Sequence, residues 1–233
     1  MKNPEAIERM LADHARVAAT LPGAGLPWLA QERDAALARF ARGGFPTTYD
    51  EDWKYTSVSP ILRQALVAGG GDTDAGAAAA LVAELQPERQ AGHWLVFVDG
   101  CHAPQLSSLN PLPAGVVLGS LARALEQEPQ QLVPHLPVLA GQTVFGDLNT
   151  AFMADGAYLH LPADAVVEEP IHLLFLATRG GVAIHLRNLL IAGAGARATV
   201  IEHYAGAADT IYLTNAVTQV AIAENAAIGH YKL

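Results

Sequence analysis

Three short segments in the last third of the chain can be laid over one another: Leu161-Pro162-Ala163-Asp164-Ala165-Val166, Ala192-Gly193-Ala194-Gly195-Ala196-Arg197 and Ile222-Ala223-Glu224-Asn225-Ala226-Ala227. Each is a turn-prone stretch closing on an alanine, with β-rich apolar sequence on either side. The aligned alanines, Ala165, Ala196 and Ala226, stand 31 and 30 residues apart. A near-constant period of that length predicts stacked structural units rather than one closed sheet. Runs such as Ile171 to Leu176, broken by His172 alone, and Leu189-Leu190-Ile191 are almost continuously apolar, as strands buried on both faces are. Small residues at the turns let neighbouring coils approach closely. A parallel β-helix or a related solenoid explains this pattern better than a sandwich. Stacked strands make a long scaffold with open ends, which suits assembly better than catalysis.

The first third has a different period. Asn3 is an expected N-cap, Pro4 suits the first helical position, and Glu5 and Glu8 complement the helix dipole. Ile7, Met10, Leu11, Val17 and Leu21 give one apolar face, ended by Leu21-Pro22-Gly23. A second helix is expected from Pro27 to Ala41, closed by Gly43-Gly44. Phe45 to Ser59 reads as a loop, and Ser59-Pro60 as the start of a short helix to about Val67. Gly69-Gly70-Gly71-Asp72 reads as a flexible linker, and Ala75 to Leu85 as a helix stopped by Pro87. From Trp94 the pattern shortens: a strand to Val98, a turn at Asp99-Gly100, and a hairpin return over Cys101 to Leu106. Val116 to Leu118 is a further strand, with helices at Leu121 to Gln127 and Leu148 to Ala154. The expected organisation is a helical N-terminal domain over 1–90 with a linker near 69–76, a mixed α/β transition over 91–155, and the start of a parallel β-helix over 156–233.

Charge and cysteine content narrow the function classes. The 233 residues include 23 acidic against 14 basic side chains, for a net charge of −9, which argues against nonspecific nucleic-acid binding. The single cysteine, Cys101, leaves no internal disulfide and fits a reducing cytosol. Met1 to Glu5 lacks a signal-type apolar core, and no run approaches the roughly 18–20 apolar residues of a membrane span. The expected location is the cytoplasm.

Few residue sets point to chemistry. His160, His172, His185, His203 and His230 all fall in the β region, where neighbouring coils could build a metal site, although none shows metal-ligand spacing. Their expected role is therefore surface or hydrogen-bonding. Glu202-His203-Tyr204 offers an acid, an imidazole and a phenol, but adjacent strand residues face opposite ways, so Glu202 and His203 are not expected to act as a pair. Cys101 has His102 beside it in sequence, which does not supply the geometry of an activated thiol. Gly69-Gly70-Gly71 and Gly193-Ala194-Gly195 lack the Lys-Ser or Lys-Thr of a phosphate loop. Glu51-Asp52-Trp53-Lys54-Tyr55-Thr56 places a lysine between two aromatics. That cluster is expected to pin a segment to a surface through burial and cation–π contact rather than to bind a base or phosphate. No catalytic, cofactor-binding or metal-binding residue is assigned.

Several stretches, in order, resemble the SufB/SufD family of iron–sulfur cluster assembly proteins, and its SufD branch in particular. They are Glu51 to Thr56, Phe97-Val98-Asp99-Gly100, Leu148-Asn149-Thr150-Ala151-Phe152 and Pro170-Ile171-His172-Leu173-Leu174-Phe175. Ala196 to Tyr204, Thr214 to Thr218 and Asn225 to Leu233 continue the series. The resemblance implies a helical domain leading into a right-handed parallel β-helix. It also implies a non-enzymatic scaffold that acts with a SufB-like paralogue and the ATPase SufC. The assembled complex would carry a transient iron–sulfur cluster and use ATP through SufC. Family members continue through more β-helix into a C-terminal helical domain, so this chain is expected to be the N-terminal portion of a longer protein. The family's cluster ligand and docking surfaces lie toward that further end, and no such residue is carried over here. Two other classes are weighed. A β-helix enzyme acting on polysaccharide or as an acyltransferase would need clustered carboxylates or a six-residue apolar repeat. A self-associating β-helix module would form homodimers through exposed edges.

Overall fold

The computed structural model describes residues 3–70, 74–85, 91–136 and 143–233. Positions 71–73 of the glycine-rich linker, and Pro87 as a helix stop, lie outside them.

The repeat is realised as a coil of two strands. The strands β5 (Ala157–Leu161), β6 (Ile171–Ala177), β7 (Val182–Ala192), β8 (Arg197–Gly206), β9 (Tyr212–Ile222) and β10 (Ala227–Lys232) fall alternately into two sheets. Within each sheet they pair in parallel, each with the strand two places on: Tyr158 with Leu189, Ile171 with Val200, Val182 with Tyr212, and Arg197 with Ala227. Those registers differ by 29 to 31 residues, the period read from the turns. The three aligned turns stack. Each has its fourth residue in the left-handed region, Asp164 at φ 61°, Gly195 at 71° and Asn225 at 58°. Asp164 N donates to Ala194 O at 2.8 Å, and Gly195 N to Glu224 O at 3.0 Å, so backbone polar groups at the corner are satisfied by the next coil. The conformation favours Gly, Asp and Asn, and these are the residues found there.

Inward-facing side chains of both sheets share one core, including Leu95, Phe97, Leu159, Leu173, Phe175, Ile184, Leu186 and Val200. The expected alternation within strands holds, but both outer faces are also covered. That cover is why β6 and β7 are buried along nearly their whole length, His172, His185, Arg187 and Asn188 included. On the first sheet the cover is helical. The helices α1 (Pro4–Val17) and α2 (Pro27–Gly43) pack with α7 (Val144–Phe152) through Ile7, Phe40, Leu148 and Phe152, and Asn149 of α7 donates to Leu186 O and Asn215 O. On the second sheet, α4 (Ala75–Leu85) lays Ala78 and Val82 over Val96, Val98, Leu174 and Leu176.

Several local expectations are corrected. Asn3 precedes α1 but sits at φ 53° and makes no side-chain cap bond, its carbonyl accepting Ile7 N instead. The helix begun at Ser59 (α3) ends at Leu62. Val67–Ala68 forms the short strand β1 beside Val182–Ala183, so a sheet edge claims residues that local pattern assigned to a helix. The return after β2 (His93–Val98) is only Cys101–His102 (β3), because Pro104 lacks the N–H needed to continue the ladder and a 3₁₀ turn follows. The next strand is Val117–Ser120 (β4), antiparallel to β5. Ser120 Oγ accepts Arg123 N to cap α5 (Leu121–Gln127), and a short α6 (Pro129–Leu132) follows. α7 starts four residues earlier than expected because Thr143 Oγ1 caps Gly146 N at 2.9 Å. The chain is a mixed α+β protein in which an N-terminal helical region precedes two curled, mostly parallel sheets.

Candidate functional site

Alternation along β8 sends Ala198, Val200, Glu202 and Tyr204 inward, so an acid follows two core residues into the space between the sheets. Glu202 is fully buried. Three elements supply its partners. His230 Nε2 stands 2.7 Å from Oε1 and Lys232 Nζ 3.3 Å from Oε2, both on β10, while the Thr218 hydroxyl of β9 and the Tyr204 hydroxyl donate to the same carboxylate. Asn188 of β7 bridges to Thr218 Oγ1 at 3.1 Å and accepts Ala157 N at 2.8 Å, so the network reaches β5. Burial alone would raise the Glu202 pKa. The bonds from Thr218, Tyr204 and His230 and the charge on Lys232 outweigh it and hold the carboxyl below its ordinary value. Burial and the Glu202 carboxylate push the Tyr204 phenol up. A carboxylate so held has no proton to give, and it acts as an anchor joining successive coils.

The structure separates the other residues singled out in the sequence. His203 faces away from Glu202, as alternation requires, and meets His172 on the outer face of the second sheet, with His172 Nδ1 2.9 Å from His203 Nε2. His185 is buried against Phe152, rings 5.0 Å apart, and His160 lies on β5 opposite Val117. Burial brings the His185 pKa down to about 4. The imidazole of His102 goes to Ser107 Oγ at 3.3 Å. In the Glu51 to Thr56 segment only Trp53 turns inward, onto Phe145 with rings 5.4 Å apart; Tyr55 stays 91% exposed with Lys54 Nζ over its ring.

Two sites escaped sequence reasoning. Asp155 is buried, and its carboxylate accepts His102 N, Ser120 Oγ, Ala122 N and Gly156 N at 2.8–3.0 Å, tying β3, β4 and α5 to the first coil. Asp99 is likewise buried and accepts Thr178 N at 2.8 Å and the Thr178 hydroxyl. Both precede glycine, and an Asp-Gly pair read as a side-chain-braced turn would have found them. Beside Asp155 lies a cavity of about 380 Å³ lined by Leu95, His102, Ser107, Arg123 and Tyr158. Ser107 Oγ donates to Ala103 O and accepts Val96 N, both at 2.9 Å. Its hydroxyl proton is spent, so His102 serves it as donor and not as general base.

Among the described residues no group of three or more His, Cys, Asp or Glu side chains converges to hold a metal, and no helix is long and apolar enough to cross a membrane. The fold and its internally satisfied polar clusters define a helix-covered, coil-stacked β-scaffold. The family model for the SufBD protein N-terminal region matches residues 13–173, and the SUF system FeS cluster assembly, SufBD core domain matches 175–233. The chain belongs to the SufB/SufD family of iron–sulfur cluster assembly proteins. It is 31% identical to an iron–sulfur cluster assembly SufBD family protein of Synechocystis over 88% of this chain and 47% of the relative. To the iron–sulfur cluster assembly protein SufD of Escherichia coli it is 29% identical over 84% of this chain and 44% of that protein. The chain thus spans about half the length of the curated relatives it matches.

Proposed function

We propose that this chain serves in iron–sulfur cluster assembly as part of a non-catalytic, cytoplasmic scaffold subunit. Its partners are a SufB-like paralogue and a SufC-like ATPase, and the assembled complex carries a transient cluster. The two sheets are the first coils of a right-handed parallel β-helix on which that complex is built. The observation that carries the reading is the ordered match to both SufBD regions, residues 13–173 and 175–233, over a two-sheet coil with a 30-residue register. The polar clusters support a structural role: Glu202 and Asp155 each have their oxygens filled by partners from three elements.

Co-expression tests it. The 233-residue chain and the longest open reading frame containing it are each affinity-purified with a SufB-like and a SufC-like protein of the same organism. Recovery of a three-component complex with the longer form, and no ATP turnover by the chain alone, is expected. Recovery of the longer form free of both partners overturns the reading.

A further inference from the structure

The first sheet ends on β4, whose antiparallel register sets Gly119 opposite Tyr158 of β5. Cross-strand partners project from the same face, so the missing side chain leaves open the space beside the Tyr158 ring. A Cβ built at Gly119 meets nothing within 4 Å, and the backbone there is outside the left-handed region, so any residue fits it. A strand glycine with no conformational reason forgoes packing and marks a place where something else comes close. What Gly119 opens is the cavity of about 380 Å³ beside Asp155, a size typical of small-molecule sites, with Leu95, Leu109, Leu118 and Leu132 on its apolar walls. Asp155, Ser107 and Ser120 spend their bonding groups within the protein. Tyr158, Arg123 and Glu128 do not. Tyr158 is 4% exposed, and among the described residues its hydroxyl meets no partner, nor do Arg123 and Glu128 form an ion pair.

We propose that this cavity binds a small amphipathic zwitterion of the apolar α-amino-acid class, its carboxylate on Arg123 and Tyr158, its ammonium on Glu128 and its side chain over Gly119. A guanidinium and a phenol are donors matched to a carboxylate, and a carboxylate accepts from an ammonium. A simple acid would leave Glu128 repelling it, and a simple amine would leave Arg123 doing so, whereas a zwitterion satisfies both. Burial and then the Glu128 charge raise the Tyr158 pKa, which keeps the phenol a donor at neutral pH. Burial and, more weakly, the Arg123 charge lower that of His102. Both charges therefore act on the cavity wall rather than only on bulk water.

Isothermal titration calorimetry of the purified chain separates these contributions. The probes are L-leucine and L-phenylalanine, with 4-methylpentanoate and 3-methylbutylamine, which carry the leucine body with the acid alone and the amine alone. Leucine or phenylalanine should bind at one site per chain, and each leucine analogue about tenfold or more weakly than leucine. Arg123→Gln should weaken the amino acids by about tenfold or more and leave the amine no weaker, while Glu128→Gln should bring 4-methylpentanoate close to leucine. Gly119→Leu should fill the cavity, abolish saturable binding and raise Tm, with folding checked by circular dichroism. Arg123 is exposed, so its variant reports even where Gly119→Leu does not fold. No saturable binding of either amino acid at millimolar concentration, binding that survives Gly119→Leu in a folded variant or Arg123→Gln unweakened, or 4-methylpentanoate as tight as leucine on the unmodified chain, overturns the proposal.

Discussion

Glu202→Gln tests the idea that the interior carboxylate ties the coils together. Glutamine keeps the volume and one acceptor oxygen but removes the charge that Thr218, Tyr204 and His230 share. A hydrogen bond to a charged group contributes about 1.5–3 kcal/mol, roughly double a neutral one. Three such bonds reduced to neutral strength amount to a loss of about 2–4 kcal/mol. His230 and Lys232 retain solvent contact, with side chains 27% and 50% exposed, which places the value near the lower end. For a chain of this length, a loss of about 2 kcal/mol corresponds to roughly 4–8 °C in Tm. Urea denaturation and thermal melts of both proteins at neutral pH read it directly. The pH dependence supplies a second readout. Because the folded pKa lies below the ordinary 4.5, the carboxylate contributes stability above 4.5, and that share is lost as pH falls through the depressed value. The variant should lack that acid limb. Stabilities within about 0.5 kcal/mol of one another, with unchanged acid limbs, would refute the anchoring argument.

His185 titrates in a different window. Burial sets its folded pKa near 4 against 6.5 unfolded, so only the unfolded chain takes up a proton in between, and stability should fall by roughly 3 kcal/mol as pH drops from 6.5 to 4. His185→Gln should flatten that slope in urea titrations. Asp155→Ala strands four donors, two of them fully buried, and a loss of about 3–5 kcal/mol is expected in equilibrium unfolding. Gly195→Ala puts a Cβ 2.5 Å from Asp164 Oδ1 at φ 71° and should cost about 1–3 kcal/mol, whereas Asn225→Gly at the matching corner should change Tm little.

Much of the fold was legible because it is written locally. The turns repeat Gly, Asp or Asn at one left-handed position, and the segments between them are apolar and strand-sized, so coil length followed from spacing alone. The helices α2, opened by Pro27, and α4, rich in alanine, were placed within two residues. Short elements were not, since β1 exists only because β7 offers an unpaired edge to Val67 and Ala68. Alternation along β8 also correctly parted Glu202 from His203.

What each of those residues faces was a tertiary matter. Glu202 meets His230, and His172 meets His203, because strands one coil apart pair in parallel, and Glu202 meets Thr218 across the space between the two sheets. A local pattern of period two names the side of a sheet but not the neighbour on the next strand. The same holds for Asp155, whose partners come from β3, β4 and α5. The sequence by itself determined the 30-residue coil, its corner conformations and the helical character of the first third, because each rests on residues close together in the chain. Stacking decided which polar groups became buried anchors and which imidazoles came within bonding distance, because only the parallel register converts a separation of about 30 residues into one of about 3 Å.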